Sequence, residues 1–184
     1  MATNDFQIEI IEQGWLEGCS PEEDLCSHGK IKLTIGGHSI TSGHEDYGIS
    51  ESALALLRTL GSNHSDEQQV AQRLIFHGCG TILMMGCPIG VYWSVTHLDN
   101  HVRISDVMRD DAEAYLTRFP GLSVDVPEEI YRQRIVAFAE KAKEPFNGVT
   151  KTFTDDFDRR EYEKFWAEYD LLLKSNNGLS GNNQ

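Results

Sequence analysis

The chain has 184 residues, about the length of one domain, and 40% of them are hydrophobic and 24% charged. This composition is typical of a globular protein and excludes a collagen-like fibre, a largely disordered chain and a membrane bundle. The charge is unusual, because 16 Lys and Arg stand against 29 Asp and Glu, a net charge of −13. We therefore expect no binding to nucleic acid or to anionic membranes, since both need cationic side chains.

The sequence contains no recognisable targeting or membrane segment. Residues 1–6 have neither the basic nor the apolar region of a signal peptide, and no run approaches the roughly 20 apolar residues of a membrane span. Without a secretory signal, we expect the four cysteines (Cys19, Cys26, Cys79 and Cys87) to be free thiols. The predicted location is the cytoplasm.

The first part of the chain predicts strands. Residues 6–15 alternate apolar and polar side chains, and the doubled Ile10-Ile11 predicts a bulge. An acidic turn region follows over residues 18–29. Residues 30–35 alternate cleanly, and the glycine pair after them predicts a tight turn into residues 38–41.

Two helices are predicted next, and a group of strands follows them. Serine N-caps at Ser50 and Ser65 predict one helix up to Gly61 and another up to His77, packed together as a hairpin. The β-rich part that follows predicts a short strand over 82–85 and a hairpin of 89–97 with 101–107. It then predicts a short helix or loop over 110–115 and a strand over 122–126.

The last part of the chain predicts two more helices. One begins at Pro127 and ends near Asn147, and the other is capped by residues 154–156 and runs to Lys174. Residues 175–184 are rich in Asn, Gly and Ser and predict a disordered tail. The order of elements predicts a single α+β domain over residues 1–174, with an antiparallel or mixed sheet and about four main helices packed on it.

A metal site is only weakly indicated. Cys19 and Cys26 with His28, or His77 with Cys79 and Cys87, could supply soft ligands. Neither set contains the closely spaced cysteine pairs of a structural zinc site. We therefore predict no metal and no cofactor, and small buried side chains are the alternative reading of Cys79 and Cys87.

A catalytic reading also remains open. Cys87 could meet His97 or His101 across the predicted hairpin, and such a pair lowers the pKa of a thiol and makes it nucleophilic. The chain has no P-loop, G-x-G-x-x-G, H-E-x-x-H or G-x-S-x-G motif. A small Cys/His-dependent hydrolase or transferase is thus the alternative to a protein without enzymatic activity.

The negative charge is concentrated in the first half of the chain. Residues 1–92 contain 4 Lys and Arg against 12 Asp and Glu, whereas the second half is mixed in sign, as exposed helices usually are. A negative surface accelerates docking of a basic partner protein. Tyr92 and Trp93 face opposite ways on one predicted strand, so one of them is expected to be an exposed contact anchor. The predicted partner-binding residues are Glu17, Glu22, Glu23, Asp24, Glu45, Asp46 and Trp93.

Three features resemble small acidic immunity proteins of bacterial toxin systems. They are the helix start Gly-Ile-Ser-Glu-Ser-Ala-Leu at residues 48–54, the strand Gly-Val-Tyr-Trp-Ser-Val-Thr-His at residues 90–97, and the acidic balance. The resemblance concerns the general layout and supplies no binding residues. It implies a cytosolic, non-enzymatic protein that binds and blocks a cognate toxin, often a basic nuclease.

Overall fold

We analysed a computed structural model of the protein, which describes residues 5–67, 69, 72–77, 89–111 and 115–177. Nine strands and three α-helices lie within these ranges. The strands are β1 (Phe6–Gly14), β2 (His28–Ile35), β3 (His38–Ser39), β4 (Asp46–Gly48), β5 (Ile75–His77), β6 (Gly90–His97), β7 (His101–Asp111), β8 (Tyr115–Arg118) and β9 (Val124–Pro127). The helices are α1 (Ile49–Arg58), α2 (Glu128–Lys143) and α3 (Asp156–Asn177), with a 3₁₀ turn (Glu144–Phe146) after α2.

All nine strands belong to one antiparallel sheet. Its order is β1-β2-β4-β5-β6-β7-β8, with β3 paired to β2 and β9 paired to β7. The predicted α+β class is confirmed, and the sheet is antiparallel throughout the described pairings. The prediction of about four helices is corrected to three α-helices among the described residues.

The β1–β2–β3 region forms as its sequence predicts. The register of β1 against β2 shifts between Ile10 and Glu12, which places a bulge at the predicted isoleucine pair. Gly36 and Gly37 have φ angles of +55° and +78°, which is the backbone of a two-residue hairpin turn. Side chains with a Cβ are disfavoured at both positions, so the glycine pair determines where β2 turns into β3.

The helices cover one face of the sheet and enclose the core with it. α1 packs on α2 and on β5, while α2 also packs on β1 and α3. Apolar side chains that alternate along β2 point into this core, which explains the clean alternation in the sequence. The largest fully buried side chains are Trp93, Tyr47, Tyr92, Tyr131, Tyr169 and Phe6.

The start of α1 differs from its prediction. The helix begins at Ile49 with Gly48 as the N-cap residue, and no side chain caps it. The Ser50 hydroxyl is buried and accepts a hydrogen bond from the backbone N–H of Ser27, 3.0 Å away. Ser50 therefore connects α1 to the residues that precede β2, which a local capping rule cannot anticipate.

The predicted helix from Ser65 to His77 is wrong at its C-terminal end. Ile75–His77 forms β5, which pairs with β4 on one side and β6 on the other. Leu74 also donates its backbone N–H to Val91. The apolar pattern of this segment only weakly favours a helix. Pairing with a strand on each side satisfies its backbone and buries Ile75, so tertiary structure overrides the local pattern.

Other predictions near the gaps are settled only in part. Asp110 and Asp111 end β7 and Tyr115 begins β8, so the ends of the predicted helix or loop over 110–115 are strands. The predicted strand at 82–85 lies outside the described residues. The predicted tail is corrected at its start, because α3 continues to Asn177; residues 178–184 lie outside the described part of the chain.

Candidate binding site

A cleft of about 520 Å³ opens at one end of the strands, where β1 ends and β2 begins. The loop after β1, the start of β4 and the end of β5 complete its walls. Its ionisable side chains are Glu12, Glu17, His28, Asp46 and His77. A cleft of this size is on the scale of ligand sites, which commonly measure roughly 300–1,000 Å³.

Strand register brings these side chains together from distant parts of the sequence. Gly14 of β1 pairs with His28 of β2, and the next β2 residue, Gly29, pairs with Tyr47 of β4. Tyr47 in turn pairs with His77 of β5. The ends of four neighbouring strands therefore meet at one place, although their residues span more than sixty positions in the sequence.

Gly29 determines how closely β1 and β2 approach at the cleft. A Cβ added at this position would lie 1.9 Å from the backbone oxygen of Glu12, which is far inside van der Waals contact. The atom that it would meet is backbone, so no side-chain rotation can relieve the clash. Only glycine allows this approach of the two strands.

Behind the cleft wall, a buried carboxylate holds a histidine. The Nε2 atom of His28 lies 3.2 Å from one Asp24 oxygen, and the backbone N–H groups of Leu16 and Cys26 donate to the same carboxylate at 2.8 and 3.1 Å. Burial opposes ionisation of Asp24, but these hydrogen bonds outweigh it and keep the Asp24 pKa below its ordinary value. The group is therefore a fixed, buried negative charge.

Among the residues that the structure describes, the second ring nitrogen of His28 has no hydrogen-bond partner. Asp24 can only accept a hydrogen bond when it is ionised, so in a neutral imidazole the proton lies on Nε2 and Nδ1 is an acceptor. Nδ1 is buried and makes no hydrogen bond, and the whole residue is only 8% exposed. A buried polar atom without a partner costs about 1–3 kcal/mol.

The thiol next to this pair is buried and hard to ionise. Cys26 is fully buried, and burial together with the nearby Glu51 carboxylate raises the pKa of its thiol well above the ordinary value. The Glu51 pKa is also raised by burial, which its hydrogen bonds with Cys26 and Ser50 only partly offset. A protonated thiol is a poor nucleophile, so Cys26 has a structural role.

Lys151 fixes the acidic loop between β1 and β2. Its ammonium group donates to the backbone oxygens of Pro21 and Asp24 and lies 3.9 Å from the centre of the Trp15 ring. The next residue, Thr152, donates its backbone N–H to Glu22 at 2.8 Å. The loop is thus held by residues about 130 positions later in the chain.

The predicted acidic residues divide into exposed and buried groups. Glu17, Glu22, Glu23 and Asp46 are exposed, Glu45 is half-buried, and Asp24 is buried. Glu17 and Asp46 line the cleft, while Glu22 and Glu23 lie on the same loop as Glu17. We call these four exposed residues the acidic face. Asp24 cannot contact a partner directly in this structure, because only 4% of it is exposed.

Two neighbours of the acidic face have a cation within salt-bridge distance. Lys30 lies 3.4 Å from Glu12, and Arg109 lies 3.7 Å from Glu45. Within the described ranges, no salt bridge involves any residue of the acidic face. The nearest cation to the loop is Lys151, which donates to backbone oxygens of Pro21 and Asp24 and not to these carboxylates.

The expectation of an exposed Tyr92 or Trp93 is wrong. Trp93 is 0% exposed and packs against Phe6, and Tyr92 is 1% exposed. The backbone of His64 pairs with Val95 of β6, and the His64 ring lies 5.6 Å from that of Tyr92. Trp93 therefore belongs to the core and not to a partner surface.

The Cys/His alternative gains no support from its histidines. The Nε2 atom of His97 lies 2.8 Å from the backbone oxygen of Thr59, and its Nδ1 lies 3.8 Å from Glu128. These contacts hold the ring between α1 and α2. His101 is exposed, and Cys87 lies outside the described residues, so this alternative stays a prediction.

The two weak metal-ligand sets are only partly visible. Cys19 is exposed and Cys26 is buried, both as free thiols, and Cys79 and Cys87 lie outside the described residues. His28 and His77, one from each set, line the same cleft. Across the described part of the chain, no three His, Cys, Asp or Glu side chains are grouped so that they could hold a metal ion.

Comparisons with known proteins do not assign the chain to a family. No protein-family model matches it, and no curated protein and no solved structure is significantly similar to it. None of the helices in the described ranges is long and apolar enough to cross a membrane.

The pairing of Asp24 with His28 is not predicted from the sequence. The local signal for a structural Asp24 is that aspartate commonly accepts from the backbone N–H two residues later, as Asp24 does from Cys26 in the bend before β2. The sequence instead places Asp24 on the exposed surface, because it follows two glutamates, and offers His28 only as a metal ligand.

Proposed function

We propose that this protein is a non-enzymatic binding protein that neutralises a basic protein partner by occluding it. The observation that carries the proposal is the acidic face: Glu17, Glu22, Glu23 and Asp46 are exposed and have no salt bridge among the described residues. Glu17 and Asp46 line one cleft, and Glu22 and Glu23 lie on the same loop as Glu17. An uncompensated negative surface attracts a positive one and favours its correct orientation during docking.

The anchoring of the loop supports the same function. A surface that is already held in place loses less conformational entropy on binding. Three contacts hold this loop: the Asp24 carboxylate, the Lys151 ammonium group and the backbone pairing of Thr152 with Glu22. Exposed charges that serve solubility alone need no such support. Toxin neutralisation in the cytoplasm is the most concrete form of the proposal.

The test uses two variants of equal net charge. In the first, Glu17, Glu22 and Glu23 are replaced by Gln. In the matched control, the exposed carboxylates Glu140, Glu144 and Glu163 of the helical side are replaced by Gln. Each protein is used to capture partners from its native host, and the affinity for the partner captured by the wild type is then measured at increasing salt.

We expect the loop variant to bind that partner at least about tenfold more weakly, a loss of about 1.4 kcal/mol, and the control to bind nearly as the wild type does. The affinity of the wild type should fall as salt rises, because salt screens exposed charges. Equal weakening of both variants would show that only net charge matters. An affinity that does not depend on salt would also contradict the proposal.

A further inference from the structure

The ammonium group of Lys151 lies in a site built from uncharged groups. It donates to the backbone oxygens of Pro21 and Asp24, and it lies 3.9 Å from the centre of the Trp15 ring and 4.8 Å from that of Phe146. Carbonyl oxygens and the faces of aromatic rings attract a cation much more strongly than a neutral group of the same shape. The hold on the loop therefore depends on the positive charge of this side chain.

These contacts act on the turn that carries two glutamates of the acidic face. Pro21 and Asp24, the two acceptors of Lys151, lie immediately before and after that glutamate pair. The next residue, Thr152, donates its backbone N–H to Glu22 at 2.8 Å. One cation thus connects the two ends of the turn, and the orientation of both glutamates depends on it.

Other contacts keep the base of the loop in place without the lysine. The rings of Trp15 and Phe146 pack edge to face, with their centres 4.9 Å apart. The Asp24 carboxylate also accepts from the backbone N–H groups of Leu16 and Cys26. Loss of the ammonium group is therefore expected to loosen the turn and not to unfold the protein.

The sign of its charge separates the role of Lys151 from simple electrostatics. A positive charge beside the acidic loop lowers the attraction of that loop for a basic partner. If charge alone controlled binding, a neutral residue in place of Lys151 would strengthen the complex. If the shape of the loop controls binding, the same replacement weakens it, because a loosened loop loses more conformational entropy on binding.

We propose that Lys151 is a positioning residue of the binding surface, and that neutralising its ammonium group lowers the affinity for the basic partner. The inference rests on the proposed function and concerns the regulation of the same surface. Lys151 acts through the loop and needs no contact with the partner. The strength of binding is then controlled from the connection between the 3₁₀ turn and α3, outside the acidic face.

The first measurement uses the full chain without a partner. Lys151→Met keeps the length of the side chain and removes its charge, whereas Lys151→Arg keeps the charge. The matched control is Lys164→Met, which removes an exposed lysine of α3. Amide hydrogen exchange is followed by NMR at Glu23 and Asp24, whose backbone N–H groups donate to the Ser20 carbonyl at 3.1 Å.

We expect these two amides to exchange at least about tenfold faster in Lys151→Met, because the turn opens more often. Lys151→Arg should stay within about threefold of the wild type, since a guanidinium also donates to carbonyl oxygens and stacks on aromatic rings. Lys164→Met should leave both rates unchanged. Native spectra of the three variants confirm that they fold.

The second measurement is the affinity for the partner that the wild type captures. Lys151→Met should bind at least about tenfold more weakly, although it makes the protein more negative. Lys164→Met changes the net charge equally and should bind as the wild type does or slightly more tightly. Lys151→Arg should restore the affinity to within about threefold of the wild type.

Unchanged exchange in Lys151→Met would show that the turn is held without the lysine and would overturn the inference. Unchanged or tighter binding by Lys151→Met would overturn it as well, because charge alone would then explain the surface. The two proposals fail separately. If the Glu17, Glu22 and Glu23 variant loses affinity and Lys151→Met does not, the proposed function stands and only the positioning role fails. If neither loses affinity, both fail.

Discussion

The acidic face and the helical side of the molecule both carry carboxylates, but their ion pairing differs. On the helical side, several carboxylates have a cation one turn away: Arg132 contacts Glu129, Lys164 contacts Glu161, and Arg159 lies 3.6 Å from Asp156. Others on that side, such as Glu163, have no salt bridge among the described residues, and on the acidic face none of the four carboxylates has one. The net charge of −13 is therefore spread over both regions, and the acidic face is where local ion pairs are missing altogether.

The acidic region also differs from the helical side in how its backbone is held. Asp24, the one buried carboxylate among the predicted contacts, is used to fix the loop that carries Glu22 and Glu23. The carboxylate that orders the backbone is buried, and the carboxylates of the acidic face are exposed. Runs of acidic residues in a sequence can combine both roles, and only their burial separates them.

The largest expected effect comes from Trp93, which the sequence assigned to the partner surface. We expect Trp93→Ala to destabilise the protein by about 3–5 kcal/mol, because it leaves a large cavity in the core. Urea unfolding measures this difference. A loss below about 1 kcal/mol would show that Trp93 is exposed in solution and would restore it to the binding surface.

Asp24→Ala should be the next most destabilising change. It removes the acceptor of two backbone N–H groups and of His28, and we expect a loss of about 3 kcal/mol, since each buried donor left unpaired costs about 1–3 kcal/mol. The matched control is Glu23→Ala on the same loop, which should change stability by less than about 0.5 kcal/mol. Thermal unfolding of both variants compares them directly, and equal effects would remove the distinction between the two roles.

The pH dependence of stability should report the same carboxylate. The pKa of Asp24 is lower in the folded protein than in the unfolded chain, so its ionisation stabilises the fold above about pH 4. This stabilisation is lost as the pH falls through the folded-state value. We expect the stability difference between the wild type and Asp24→Asn to shrink between about pH 5 and pH 3, as measured by urea unfolding at each pH. A constant difference would contradict the assignment.

The smallest effect is expected on the helical side. Arg132→Ala breaks contacts with Glu128 and Glu129 on α2, and such exposed pairs contribute about 0–1 kcal/mol. Thermal unfolding should show this modest loss, while the affinity for a captured partner stays unchanged. A clear change in partner affinity would extend the binding surface to the helices and weaken the contrast between the two regions.

Local patterns predicted the parts of the fold that local forces determine. The bulge at Ile11 and the turn at Gly36-Gly37 follow from a doubled apolar pair and from two adjacent glycines. The short strand Ile75–His77 could not be predicted, because it is stabilised by β4 and β6, which come from other parts of the sequence. A strand of three residues is too short to show an alternating apolar pattern in the sequence.

The candidate site was predictable only in its charge. The exposed acids of the loop were identified from composition, but the burial of Asp24 depends on Leu16 and Cys26, whose backbone N–H groups surround it. His28 and His77 come close together because β4 lies between β2 and β5 in the sheet. This strand order cannot be predicted from the sequence. Nothing local predicts such neighbours.

The contact of Lys151 with the loop has a consequence for synthesis of the chain. Residues 15–24 are made early, but the lysine that holds them is made about 130 residues later. Contacts between such distant residues form late in folding. A nascent or truncated chain that ends before residue 151 contains every residue of the acidic face. It lacks the lysine that holds the loop in place. Under the proposed function, the loop acquires its binding shape only in chains whose synthesis has passed residue 151.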